Sequence, residues 1–257
     1  MDAASATGDD PPTPRAVLAL FVLHASRGPL PNFERDVQQF HAFFNQPVLI
    51  YCLGQIYRRS GQQMMAWACF RAASLSGGRQ ADHFETGLFL SRQGWFELAE
   101  NEFEQVLLCD GLAKDDYDCK AHLQLAFIAQ WSRQDQAAGE HMRDMLDLLP
   151  RTDLNFDRVR AERLEMEMHW HLFRAAVARH DDAAAQKEAD NLWIYSPTDP
   201  AIALDLIPWL KNQNRPGDAD KITAQTLQAH PGDAYLQKQL QPTTRPAQTR
   251  PTSGAAK

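Results

Sequence analysis

The chain has 257 residues, of which 44% are hydrophobic, and a net charge of −7. This is enough for one long domain or two short ones with a sizeable core. The acidic balance excludes a generic nucleic-acid binder, which needs a basic surface to neutralise phosphates.

Four cysteines (Cys52, Cys69, Cys109 and Cys119) contain no Cys-x-x-Cys pair and are few for a disulfide-stapled fold. Cys109 and Cys119 flank a loop, but a free buried cysteine is ordinary. The most apolar run, residues 16–23, is under half of the ~20 residues that a spanning helix needs. As a secretory leader the amino end is poor, because Asp2, Asp9 and Asp10 stand where basic residues belong. The expectation is a cytoplasmic protein with no membrane contact.

Residues 1–13 are small, polar and proline-rich and read as disordered. Pro14 can open a helix over Arg15–Ser26, broken by Gly28-Pro29-Leu30-Pro31. Asn32 is a candidate cap for a second helix carrying Phe33, Val37, Phe40 and Phe44 at helical spacing. Residues 14–45 thus read as a helix hairpin.

Next, Gly54, Gly61, Ala66 and Phe70 recur as Gly87, Gly94, Ala99 and Phe103, each displaced by 33 positions. The spacing predicts helices over Pro47–Ser60, Gln62–Ser74, Ala81–Gln93 and Trp95–Cys109. A glycine in mid-helix costs about 1 kcal/mol against alanine, which is tolerable where a neighbouring helix must approach closely. The phenylalanines fill the space left. Residues 112–118 read as an insertion that lengthens the next link.

Later copies are thinner. The third keeps Leu125, Ala126, Ala138 and Pro150, with Arg133 in place of the turn glycine. The fourth keeps Leu172, Ala176, Ala185, Leu192 and Pro197, with a long first helix over 155–179. The fifth keeps Leu206, Ala219 and Pro231. Asp135, Asp181 or Asp182, and Thr198 or Asp199 stand where helix caps are due, and Pro200 and Pro216 fit first-turn positions. Pro208 falls inside a helix, where a kink is the simple outcome and an exposed Trp209 the sharper one. Residues 233–240 form a short closing helix, and 241–257 read as a disordered basic tail.

This pattern resembles the tetratricopeptide repeat. The resemblance is carried by Leu53-Gly54…Tyr57…Gly61…Ala66…Phe70…Ala73 and by Gly87…Gly94…Ala99…Phe103. It implies an all-α fold, a right-handed α-solenoid of antiparallel helix hairpins. The segments are a degenerate hairpin (14–45), five repeats (47–78, 80–111, 116–150, 153–197 and 198–231) and the closing helix.

The resemblance also implies that the first helix of each hairpin lines a concave binding face. On that face the position three before each small residue gives the column Tyr51, Phe84, Leu123, Trp170 and Leu204. The position just after it gives Gln55, Leu88, Phe127, Arg174 and Pro208. Arg58, Arg59, Arg92, Lys120 and Trp131 lie nearby. An aromatic floor edged with cations suits a peptide or helix with apolar anchors and acidic groups. It is equally a surface that the chain's own segments or a second copy can cover.

Some members of the family hold the acidic carboxy-terminal peptides of heat-shock chaperones in a Lys/Asn/Arg clamp. Here Tyr51, Gln55, Glu85 and Gln124 take clamp positions, and only Lys120 fits. That partner class is therefore excluded.

His83, His122 and His169 hold equivalent places in successive copies. Those are packing positions a hairpin apart, so no metal site is expected from the column. Glu162, Glu165 and Glu167 alternate with Arg158, Arg160 and Arg163 as a solvated ion-paired face. No phosphate loop, His-Glu-x-x-His or Gly-x-Ser-x-Gly occurs. The expectation is a non-catalytic adaptor without cofactor, with Tyr51, Gln55, Arg58, Arg59, Phe84, Leu88, Arg92, Leu123, Phe127, Trp131, Trp170 and Arg174 as partner-binding residues. Its rivals are a homo-oligomer built on apolar faces, and an enzyme using the 112–118 insertion or the histidine column.

Overall fold

The computed structural model describes residues 13–111 and 113–240. The stretches read as a disordered start and a basic tail lie outside the described residues, except Thr13, whose hydroxyl accepts from Ala16 N–H at 3.3 Å.

The described residues are helical. The helices are α1 (Pro14–Arg27), α2 (Phe33–Gln39), α3 (Pro47–Arg59), α4 (Gln63–Ser76), α5 (Gln80–Arg92), α6 (Phe96–Leu108), α7 (Lys114–Trp131), α8 (Asp135–Leu148), α9 (Arg158–Ala178), α10 (Asp182–Leu192), α11 (Pro200–Asn212), α12 (Pro216–Ala229) and α13 (Ala234–Leu240). Successive pairs from α3/α4 to α11/α12 form five antiparallel hairpins, the building unit of an α-solenoid. The chain divides into two compact units, Met1–Ala161 and Glu162–Lys257. The first holds three hairpins and the second two.

One turn closes all five hairpins. Gly61, Gly94, Arg133, His180 and Asn214 each take a left-handed conformation, with φ of 76°, 74°, 57°, 58° and 57°. The residue after each donates its N–H five residues back: Gln62 to Tyr57, Trp95 to Leu90, Gln134 to Ala129, Asp181 to Ala176 and Arg215 to Leu210, all at 2.9–3.0 Å. These bonds satisfy carbonyls that the helix end would leave bare. Glycine takes this conformation without strain, whereas arginine does not. The third to fifth turns therefore keep the geometry after losing the residue that announces it.

Counting from this turn aligns the hairpins. Five residues after it stand Ala66, Ala99, Ala138, Ala185 and Ala219, all buried. A methyl is all that fits where the two helices of a hairpin meet. Seven before and nine after, register pairs Gly54 with Phe70, Gly87 with Phe103, Ala126 with Met142, Phe173 with Ala189, and Ile207 with Thr223. A Cβ on Gly87 would stand 2.7 Å from the Phe103 ring, and one on Gly54 would collide with Phe70. The large side chain lies on the second helix in the first three hairpins and on the first helix in the last two. Close packing is kept by exchanging sides.

Residues 14–45 do not repeat the hairpin plan. Helix α1 lies on α3, and Val17, Phe21 and Ala25 share a buried cluster with Leu49, Cys52 and Ile56. Buried His24 joins α1 to α2: its Nδ1 accepts Leu30 N–H at 3.1 Å, so Nε2 carries the proton and donates to Asp36 at 3.1 Å.

Four local expectations are corrected. Asn32 makes no side-chain cap bond, and Asp135 is the first residue of α8 rather than its cap. Asp181 and Asp199 do cap, accepting from Ala184 and Ala201 N–H. The 112–118 insertion is helical from Lys114, because Asp115 and Asp116 favour a helix start and Lys114 Nζ donates to Cys109 O at 2.8 Å. Pro208 sits within an unbroken α11, and Trp209 is buried edge-on against Phe173 at 5.4 Å, so the exposed-tryptophan reading fails.

The strained turns yield a ranked prediction. A left-handed residue other than glycine costs roughly 1–2 kcal/mol, and glycine returns about 0.5–1 kcal/mol of that in unfolded-state entropy. Arg133→Gly should stabilise the fold by about 0.5–1 kcal/mol in urea denaturation. His180→Gly should gain less and Asn214→Gly least, since histidine and asparagine tolerate this conformation better. Gly61→Ala should destabilise by about 1 kcal/mol.

Candidate functional site

Within each unit, residues of the column expected to floor a groove instead join one hairpin to the next. Tyr51 is fully buried, stacks on Phe70 with ring centroids 6.0 Å apart, and donates its hydroxyl to Glu102 of the following hairpin. Buried Phe84 packs between Phe103, 5.7 Å away, and Tyr117 of α7, 5.8 Å away. Half-buried Trp170 donates its indole N–H to Asp205 of α11 at 2.8 Å, while the Arg174 guanidinium covers its ring at 5.4 Å. Gln55 is also buried. Tyr51, Gln55 and Phe84 are therefore buried rather than open anchors, a correction to the open column, although Gln55 and Tyr51 still reach the walls of small clefts. The next hairpin covers the positions that a partner was expected to reach.

The rest of the set stays at the surface. Leu88 and Leu123 are half-buried, and Arg58, Arg59, Arg92, Phe127, Trp131 and Arg174 are exposed. Trp131 is 78% exposed and stacks on Phe96, with centroids 6.1 Å apart and planes inclined by 20°. Phe96 also lines a cleft of about 260 Å³ with Gln55, Arg58, Trp95 and Leu98. Arg58 is 3.3 Å from Glu97 there. Arg59 donates to Ser26 O and so ties α3 to α1.

Sequence reasoning missed a second surface, on the second helices. Met64, Trp67 and Leu75 of α4 lie on one helical face and are 78%, 57% and 74% exposed. Arg71 sits 5.3 Å over the Trp67 ring. Beside them a cleft of about 380 Å³ is lined by Trp67, Phe70, Arg71, Leu75, Leu98 and Asn101. The available signal was that α4 carries large apolar residues all round, more than one buried face requires.

The histidine column meets its partners across each hairpin, not along the stack. His83 faces Glu102, His122 faces His141 and His169 faces Glu188, each 19 residues on. His83 Nδ1 lies 2.8 Å from Glu102 and its Nε2 lies 3.0 Å from Gly77 O. Burial pushes the Glu102 carboxyl upward, opposed by bonds from Tyr51 and His83. Burial also pushes the Cys52 thiol up to about 12 and Cys119 to about 11, far from nucleophilic thiolates. All four cysteines are free. Among the described residues, His122, His141 and Asp144 bring three potential metal-ligating atoms within 4.8 Å of one another. No helix among the described residues is long and apolar enough to cross a membrane.

No family model and no curated protein matches the chain. Among solved structures, a chain of the APC/C hetero-tetramer Cut9-Hcn1 is 15% identical over 90% of this chain, with a TM-score of 0.42. This chain spans 43% of its length. Pseudomonas aeruginosa PilF is 14% identical over 88% of this chain and 95% of its own, with a TM-score of 0.42. The chain's own turns, alanine column and helix pairings resemble the tetratricopeptide plan.

The buried Tyr51–Glu102–His83 cluster gives a stability test. Glu102→Ala strands a hydroxyl and an imidazole, each worth about 1–3 kcal/mol when unsatisfied. A loss of about 2–4 kcal/mol is expected in urea denaturation. Glu102→Gln keeps polar partners for both and should lose less than half as much.

Proposed function

We propose that this chain is a non-catalytic scaffold that holds a protein partner on the exposed aromatic ledge of its first unit. Trp131 and Phe96 form the ledge, Phe127 extends it, and Arg58 supplies positive charge beside it. The partner is a peptide or helix with apolar anchors and acidic groups, met in the cytoplasm. The observation that carries this reading is Trp131: a tryptophan left 78% exposed yet held flat against a second ring. Preordered aromatic area of this kind suits a binding hot spot, because little side-chain entropy is lost on contact.

The α4 stripe favours a second reading, contact between copies of the chain. Met64, Trp67 and Leu75 form a self-contained apolar strip without the acidic complement that the first surface would select. It is less specific in chemistry, and Arg71 already occupies one face of its tryptophan.

The full chain should capture its partner from the native source, and variants rank the surfaces. Trp131→Ala should weaken the captured complex by about 2 kcal/mol or more, with Phe127→Ala smaller and helicity unchanged by circular dichroism. Trp67→Glu should leave that affinity intact. Full binding by Trp131→Ala and Phe127→Ala together would sink the ledge. A wild-type dimer in light scattering that Trp67→Glu dissociates would put the α4 strip in its place.

A further inference from the structure

We infer that His122, His141 and Asp144 form a binding site for a zinc-class divalent cation, bridging the two helices of the third hairpin. The hairpin register sets up the argument. At the same crossing point, the second and fourth hairpins oppose an imidazole with a carboxylate, His83 with Glu102 and His169 with Glu188. There a single proton completes the pair. The third hairpin keeps the imidazole but replaces the carboxylate with His141. Two like groups now meet at the point where those two hairpins place opposite ones.

The geometry is that of ligands around a common ion. His122 Nδ1 and His141 Nδ1 stand 3.1 Å apart. Two nitrogens at 2.0–2.1 Å from one tetrahedral zinc stand roughly 3.3–3.4 Å apart. Asp144, one turn on from His141 along α8, brings Oδ2 to 3.8 Å from His122 Nδ1. Its side chain is 55% exposed and so is free to swing inward. Both imidazoles are half-buried. Glu104 and Glu140 add negative charge near His141.

Two imidazoles and one carboxylate are borderline donors that suit zinc rather than calcium or magnesium. Three protein ligands leave a fourth position for water. The bound ion would staple α7 to α8 and hold the surface from which Phe127 and Trp131 project, although the inference does not depend on the ledge binding a partner. Sequence spacing alone hides the site, because His122 and His141 meet only once the turn at Arg133 fixes the register.

The test uses the untagged, chelator-stripped full chain, titrated with cobalt(II) and then zinc(II). One equivalent of cobalt should develop visible ligand-field absorption, and one equivalent of zinc should bleach it. Zinc should also raise the melting temperature. His141→Gln can still accept a hydrogen bond from His122, so the hairpin folds while a ligand is lost. It should abolish both the absorption and the thermal shift. Asp144→Asn, at an exposed position, should lower zinc affinity at least tenfold. His41→Asn, which removes an exposed imidazole, should change nothing. Absence of stoichiometric binding to the unmodified chain overturns the site, as does equal binding by His141→Gln and Asp144→Asn. Either result leaves His122 and His141 as a hydrogen-bonded pair only.

Discussion

Everything in this fold is counted from one backbone turn. A single residue in the left-handed region, followed by a hydrogen bond reaching back five residues, ends the first helix and aims the second. Once it is fixed, the pairing of every later residue with every earlier one is settled. The alanine column, the large-and-small pairs and the histidine crossings all follow from that count. Three of the five turns hold it without glycine, so the packing of the helices must outweigh a local strain of roughly 1–2 kcal/mol at each.

Polar contacts then join hairpin to hairpin. Tyr51 reaches Glu102. Gln80 reaches Asp118 at 3.2 Å, and Lys114 stands 3.7 Å from the same carboxylate. Trp170 reaches Asp205. Apolar stacking alone would tolerate sliding of one hairpin along the next. A buried hydrogen bond is satisfied in one alignment only, and every other alignment strands a donor or a carboxylate. The stack therefore gains its cohesion from the apolar columns and its register from these few bonds.

This division explains what could be read in the sequence. Gly61 and Gly94 were legible because glycine marks a left-handed turn, and Gly54, Gly87 and the repeated alanines because small residues mark contacts that nothing larger can make. The turns at Arg133, His180 and Asn214 were legible only as gaps in a pattern, since no side-chain property of arginine announces a left-handed backbone. The column of Tyr51, Phe84 and Trp170 was correctly aligned but wrongly faced. A first helix in a stack is apolar towards its own partner and towards the next hairpin, and periodicity does not say which apolar stripe is left open. Trp131 kept its exposure because it lies in the last turn of α7. His141 escaped notice because its meaning depends on a partner across the hairpin.

The exchange of large and small side chains between helices has a consequence for assembly. Repeated hairpins of similar length invite a helix to choose the wrong mate, within one chain or between two. Here the first helices of the early hairpins present a gap and those of the late hairpins present a bulk. Pairing α3 with α10 would set Gly54 against Ala189 and open a void the size of a ring. Pairing α9 with α4 would drive Phe173 into Phe70. The same substitution that blurs the repeat to the eye gives each half of the chain its own lock, so that a protein made of near copies can tell them apart.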